Sequence, residues 1–402
     1  MPSTYQILLN GQPADADLYT SLSSLEVEEN LDLPGAVQLN LPVSRTEGGD
    51  LAYVAEGRFQ PLANLAVVAS ASGSGSGGVA GAAASALSAL GGSGSPNGTE
   101  CIFDGYILSH KLHLEKGTTN STLAIWGQDA SWLMNLEEKA KEWLDVTDAD
   151  VANSIFGDYG ITPADDNTAD DSPSHTESGH SLMQRASDIQ FLRSLARRNG
   201  KFCRVVCKDK AGQRTGYFAK PRLDGDPACV LTLNDPEAWN VEGLDIAWDV
   251  MRPTAVIARQ ALFNDDSPDG VSSDTSDSGF ARLGERGLAD FVGRPMTVLL
   301  TAPVDDGGEL SLRAQSLLRE ADWFARCEAQ ADVARLGKIP RAGTVVQLGG
   351  IGALHSGKYL VWSVRHTITA DSHKLNLVLV RNALGPAPTG GAGGLAALAG
   401  AL

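Results

Sequence analysis

"SDIQFLRSLARRNGKFCRVV", residues 187–206, reads as a helix that stops abruptly and turns into a strand. Ser187 stands at the N-cap with Gln190 three positions on, the spacing of a capping box. Asp188 in the first turn, and Arg197 and Arg198 in the last, put each charge at the end of the helix dipole that favours it. Ile189, Leu192, Leu195 and Ala196 recur at helical spacing and give one apolar face. Asn199-Gly200 supplies a left-handed stop. Residues 202–206 then alternate with Arg204 and Lys208 in the manner of a strand. By itself this joint defines an α+β packing unit.

Upstream of it, residues 1–130 read mainly as strands: "TYQILLNG", "SLSSLEVEENL", "GAVQLNLPV", "CIFDGYILSHKLHLE" and "STLAIWGQD". Short strands with turns between them predict a small barrel-like domain. Within it, the 41 residues between Arg58 and Glu100 carry no charge and read as a Gly/Ser/Ala-rich insertion at 59–99. "VAGAAASALSAL" inside that insertion places Val79, Leu87 and Leu90 on one helical face, as a partner contact or as part of a flexible loop. From 131 to 235 the period changes to an α+β middle domain. "DASWLMNLEEKAKEW" and "TDADVANSIFGDYG" read as helices, the second capped by Thr147 and ended at Gly160. The acidic segment "DYGITPADDNTADDSPSHTESGH" reads as a solvated loop.

Strands return over 236–384. A second acidic loop, "NDDSPDGVSSDTSDSG", precedes the helix "ELSLRAQSLLREADWFA", and Cys327, Ala329 and Ala331 then alternate as a half-buried strand. The fold class is α+β, mainly β, with two similar β-barrel-like domains flanking an α+β domain. The segment 385–402 is an apolar tail in which Leu395, Leu398 and Leu402 share a helical face, a second candidate partner contact.

At 402 residues the chain is long enough for two or three cores. Its net charge of −17 has the wrong sign for nucleic-acid binding. No apolar run is long enough for a membrane span, and "MPSTYQILLNG" has no secretory pattern. Synthesis in a bacterial cytoplasm without a signal peptide is therefore expected. The five cysteines, odd in number and sparse, suit reduced thiols. Cys203 and Cys207 share a strand face about 13 Å apart, too far for a disulfide.

The chemistry-bearing motifs are missing: no P-loop, G-x-S-x-G, H-E-x-x-H or dinucleotide fingerprint occurs. His110 and His113 face opposite ways on a strand. His175 and His180 flank Thr176-Glu177 in the acidic loop and read as solvated rather than as metal ligands. The paired carboxylates Asp165-Asp166 and Asp170-Asp171 have no apolar neighbours to raise a pKa. His366, mid-strand in "SVRHTIT", reads as a histidine bonded to its neighbours. No catalytic residue, metal site or cofactor is expected.

Against this background the opening joint, preceded by "VTDADVANSIFGDYGI", resembles the central domain of phage late-control protein D and the related baseplate-hub family. The residues carrying the likeness are Tyr159, Gly160, Asp188, Phe191, Leu192, Leu195 and Gly200. "RAGTVVQLGGIGALHSGKYLVWSVRHTIT" looks like that family's last barrel, through Gly343, Gly357, Tyr359 and His366. "FDGYI" at 103–107 looks like its first-barrel strand. The likeness covers most of residues 1–382. It implies a non-enzymatic structural protein of a contractile tail or injection system. Three chains with two barrels each would form a ring that adapts a six-fold inner tube to a three-fold spike. It further implies as partners a second and third copy of the chain, a spike on a separate chain, the inner tube protein and other baseplate proteins, in a virion or injection particle. The competing classes are a tail-associated cell-wall hydrolase, which would need a convergent acid pair, and a carbohydrate- or receptor-binding module. The latter would want exposed aromatics, whereas Trp126, Trp248, Trp323 and Trp362 fall within or beside predicted elements.

Overall fold

The computed structural model describes residues 4–55, 57–71, 99–116, 120–168, 173–177, 181–207, 209–260, 271–304 and 307–387. Val79, Leu87, Leu90, Leu395, Leu398, Leu402 and His180 lie outside the described residues. The helix–strand joint forms as its pattern dictates. Helix Asp188–Arg198 buries Ile189, Phe191, Leu192, Leu195 and Ala196. Gly200 takes the left-handed conformation at φ +62°, and strand Phe202–Cys207 buries Cys203, Val205 and Cys207 on one face. That strand pairs antiparallel with Arg214–Ala219.

Two local expectations are overturned around it. Ser187 is the N-cap, but its side chain makes no cap bond. Its hydroxyl donates instead to Asn135 Oδ1 at 2.6 Å, and Gln190 Nε2 donates to the same oxygen at 3.1 Å. The capping box is replaced by a tether to the preceding turn. "DASWLMNLEEKAKEW" is not a helix: a 3-10 turn, Ala130–Asn135, leads into strand Glu138–Trp143, which pairs antiparallel with Leu182–Ser187. Glu, Lys and Ala favour helix intrinsically, and strand pairing overrides that preference here. Helix Asp148–Asp158 does follow its sequence, with a capping box between Thr147 and Asp150 and Gly160 at φ +65°.

The acidic segment after it is partly structural rather than a solvated loop throughout. His175 is 6% exposed and its Nε2 lies 2.7 Å from Asp148 Oδ1, while Asn199 Nδ2 donates to Asp148 Oδ2 at 2.6 Å. Buried Asn167 donates to Gly216 O at 2.9 Å and accepts from Phe218 N at 2.7 Å. A carboxylate buried at a helix start needs partners, and a histidine and an asparagine brought from distant segments supply them.

The strands of residues 4–129 and of the second half run into one another as a single 13-stranded sheet. The seam is an antiparallel pairing of Gly357–Ile368 with Ser24–Asn30, in which His366 faces Val27 and Ile368 faces Leu25. The pairing path stays open, so no ring of strands closes among the described residues. One core spans both halves, from Ile7, Leu25, Leu39 and Leu65 to Val361, Val364, Leu377 and Leu379. The uncharged stretch after Arg58 contributes to it: Phe59 is buried, and Asn64–Ser70 is a strand between Thr4–Leu9 and Thr99–His113. With both faces covered it shows little polar alternation, which is why it reads as part of an insertion.

The second half also carries its own α+β unit. Ala255–Gln260 lies between Val271–Thr275, antiparallel, and Thr297–Leu300, parallel. Helix Gly307–Ala321 covers this small sheet through Leu310, Ala314 and Leu318, packed with Val256 and Ala258. Part of the second acidic loop is thus a strand. The helix also reaches the middle unit. Ser316 Oγ donates to Arg197 O at 2.6 Å, and Arg319 Nη1 donates to Asn199 O at 2.8 Å.

Candidate functional site

Three structural units converge on one arginine. Arg341, in the loop before strand Val345–Gly349, donates from Nε to Glu29 Oε1 at 2.6 Å and from Nη1 to Glu100 Oε2 at 2.8 Å. Its Nη2 donates to Cys101 O at 2.9 Å and Cys207 O at 2.8 Å. The second strand block thus grips the first block and the middle unit with a single planar fork, the geometry that guanidinium supplies and ammonium does not. Burial alone would lower the Arg341 pKa; Glu29 first, then Cys207 and Glu100, carry the net shift upward. The side chain stays a cation.

Further bonds complete the junction. Arg204 Nη1 donates to Ala342 O at 2.6 Å, and Cys207 Sγ donates to Cys101 O at 2.9 Å. Buried Asp104 accepts from Arg214 Nη2 at 2.8 Å and from Gly212 N at 2.6 Å, while Arg214 Nη1 donates to Tyr106 OH at 3.0 Å. Gly105 between them is required because a Cβ there would collide with Gln128 O. Beside the clamp a cleft of about 410 Å³ opens between the outer face of Phe202–Cys207 and the two strand blocks.

The residues that carry the sequence resemblance prove to be fold residues. Tyr159 OH donates to Asp188 Oδ2 at 2.7 Å, joined there by Lys139 Nζ at 2.5 Å. Burial alone would raise the Asp188 carboxyl, but bonds from Lys139, Gln184 and Tyr159 bring it below the ordinary range. Gly200 leaves room for Arg319, whose Cδ would lie 2.6 Å from a Cβ there. Gly357, at φ +146°, leaves room for Arg381, a buried cation that donates to Leu283 O and Gly385 O at 2.7 Å each. Tyr359 is fully buried beneath that guanidinium and donates to His355 O at 2.8 Å.

His366 is bonded to its neighbour, as its strand position suggests. Its Nδ1 lies 2.9 Å from His373 Nε2, and its Nε2 lies 3.9 Å from Glu29 Oε1 without a hydrogen bond. Burial lowers both pKa values, that of His373 to about 4. A neutral pair sealed from solvent holds a proton but has no reactant to give it to. His110 and His113 are exposed, and His113 pairs with Glu115 at 3.3 Å. All five cysteines are buried free thiols; burial raises Cys203 to about 12. Among the described residues no group of three or more His, Cys, Asp or Glu side chains is placed to hold a metal ion, and no helix is long and apolar enough to cross a membrane. Of the tryptophans, Trp323 is buried, whereas Trp126 and Trp248 are 38% and 37% exposed. The clamp residues Glu29, Asp104, Arg204, Arg214 and Arg341 stand in no recognisable motif. The one available signal was the isolated polar residue in "FDGYI", flanked by buried positions.

Comparison of the fold with solved structures gives phage tail proteins. The tail protein of Neisseria meningitidis MC58 matches with a TM-score of 0.63 at 13% identity, over 95% of this chain and 97% of that one. The 43 kDa tail protein of prophage MuSo2 from Shewanella oneidensis matches with a TM-score of 0.63 at 14% identity, over 95% and 99%. The E. coli c3393 protein, a type VI secretion component described as structurally similar to the T4 bacteriophage tail proteins gp27 and gp5, matches with a TM-score of 0.53 at 12% identity, over 95% and 79%. The chain therefore has the phage tail and baseplate protein fold, mainly β with α+β units. A family model described as the Alg8 N-terminal domain matches residues 92–232, less than half of the chain. Comparison with curated proteins gives no match.

Proposed function

We propose that this chain is a structural baseplate hub of a contractile tail or injection system. It assembles as a homotrimer whose ring adapts a six-fold inner tube to a three-fold spike. The observation that carries this reading is the continuous sheet. Strands from residues 4–129 and from residues 230–381 lie in one sheet with a shared core, and read as two blocks per chain they give six in a trimer. The middle unit is bolted to the second block by Arg341 and to the first by Arg214 and Cys207, and braces them. A tail protein fold over nearly the whole chain supports the same reading. Among the described residues the sheet ends at strand Val241–Trp248, whose side chains are partly exposed, and an edge strand is a ready surface for a neighbour. The partners are the spike, the inner tube protein and other baseplate proteins. The contacts proposed for them are Val79, Leu87 and Leu90 in the uncharged segment and Leu395, Leu398 and Leu402 in the tail.

The protein is made in the bacterial cytoplasm, resides in the baseplate and has no enzymatic role of its own. Glu29 and Glu100, two of the acids lining the cleft, each give an oxygen to Arg341, so both serve a structural clamp. Native mass spectrometry of the chain, alone and with its spike protein, tests the proposal. A trimer, with or without the spike, is the expected result. A chain that stays monomeric with the spike and within imaged particles would exclude the hub reading.

A further inference from the structure

The cleft at the three-unit junction contains a cation that the fold satisfies only in part. Arg204 projects from the outer face of strand Phe202–Cys207 and is half-buried. Its Nη1 donates to Ala342 O at 2.6 Å, and its guanidinium carbon lies 5.1 Å from the centroid of Tyr217. The remaining N–H groups of Arg204 meet no acceptor among the described residues, and the side chain lines the cleft. Three of the acids there are bonded to other arginines. Glu29 and Glu100 bond Arg341, and Asp166 pairs with Arg222. Gly343, at φ +81°, has no Cβ to push the Arg204 guanidinium away from the loop that holds it. The group is therefore held by the Ala342 carbonyl and the nearby Tyr217 ring while it lines the cleft, as a preorganised recognition site does.

The rest of the lining selects the ligand. Leu31, Phe202, Ala219 and Pro221 give the cleft an apolar wall, and its volume of about 410 Å³ lies within the range of small-ligand sites. The lining carries four acids, Glu29, Glu100, Asp166 and Asp209, and four cations, Arg204, Lys220, Arg222 and Arg341, a balance that suits a single negative charge better than a dianion such as phosphate. We propose that this cleft binds a single carboxylate carried on a short apolar stem, with Arg204 as the planar fork that receives it. Such a group comes either as a free small acid or as a Glu or Asp side chain presented by a partner protein. This site is independent of the hub reading, since nothing in its construction depends on a ring.

Isothermal titration of the full chain with pentanoate, with pentanamide as the uncharged analogue, tests the proposal. Saturable pentanoate binding is expected, with pentanamide at least tenfold weaker. Arg204→Gln should weaken pentanoate at least tenfold. Arg204→Lys, which keeps the charge but loses the fork, should weaken it several-fold. A third arm uses the capped tripeptide acetyl-Ala-Glu-Ala-amide. Tighter binding than pentanoate assigns the site to a partner's side chain, and weaker binding assigns it to a free acid. No saturable pentanoate binding to the parent chain, equal binding of pentanamide, or unchanged pentanoate binding in Arg204→Lys would overturn the proposal. The comparison of acid with amide needs no variant, so the test survives a failure of Arg204→Gln to fold.

Discussion

Across the seam of the two strand blocks the core-facing apolar residues are Leu25, Val27, Val364 and Ile368, all buried, on strands that share backbone hydrogen bonds. Across the contact between those blocks and the middle unit the principal partners are Arg341 with the Cys207 carbonyl, Arg204 with the Ala342 carbonyl, and Arg214 with Asp104. A small apolar cluster helps there, with Phe202 edge-on to Trp362 at 5.3 Å. The first joint is continuous and tolerates small imperfections, because its stabilisation is spread over many contacts. The second is concentrated in a few directional bonds, each with a charge to lose. A rigid double sheet with a polar-bolted brace is the mechanical result.

Removing one bolt should have the largest effect. Arg341→Met strands Glu29 in the interior, and the expected loss is about 3–5 kcal/mol in a urea titration. Adding Glu29→Gln should recover part of it. A double variant no more stable than Arg341→Met would mean that the clamp is not the joint described. Acidification comes next. His373 is buried neutral with its pKa lowered from 6.5 to about 4, so the unfolded chain binds the extra proton first. Stability from this group is complete above pH 6.5 and is lost as pH falls toward 4, by at most roughly 3 kcal/mol. Asp322, raised to about 6 chiefly by burial, works in the opposite sense over the same window. The measurement is therefore His373→Asn against the parent, and the variant should show the smaller loss between pH 7 and 5. At the seam itself, Ile368→Val should cost only about 0.5–1.5 kcal/mol and leave a single transition for both blocks. Two resolved transitions would show the blocks to be separable. The smallest effect belongs to the exposed pair Arg365–Glu28, which spans the same seam at 2.7 Å; Glu28→Gln should change stability by about 0.2–1 kcal/mol, less at high salt.

Elements with a strict period were legible in the residues: helix Asp188–Arg198, strand Ala325–Asp332 and the capped helix after Thr147. Asn64–Ser70 was not, because a strand covered on both faces loses its alternation, nor was Glu138–Trp143, whose composition favours helix. The clamp was illegible for a different reason. Arg341, Glu29 and Glu100 are unremarkable singly, and only the tertiary approach of distant segments gives them a common role. His175 misled because an acidic neighbourhood suggests solvent, whereas its actual partner, Asp148, lies 27 positions back on a buried helix end.

The seam also has a consequence for synthesis. Ser24–Asn30 pairs on one side with Ala36–Pro42 but on the other only with Gly357–Ile368. Arg341 likewise reaches Glu29 across 312 positions. During translation at roughly 5–20 residues per second, the early strand waits tens of seconds with one edge open before its partner leaves the ribosome. An edge of that kind pairs readily with other nascent chains. Slower growth at low temperature, or a chaperone that shields the first block, should therefore raise soluble yield more than any surface substitution would.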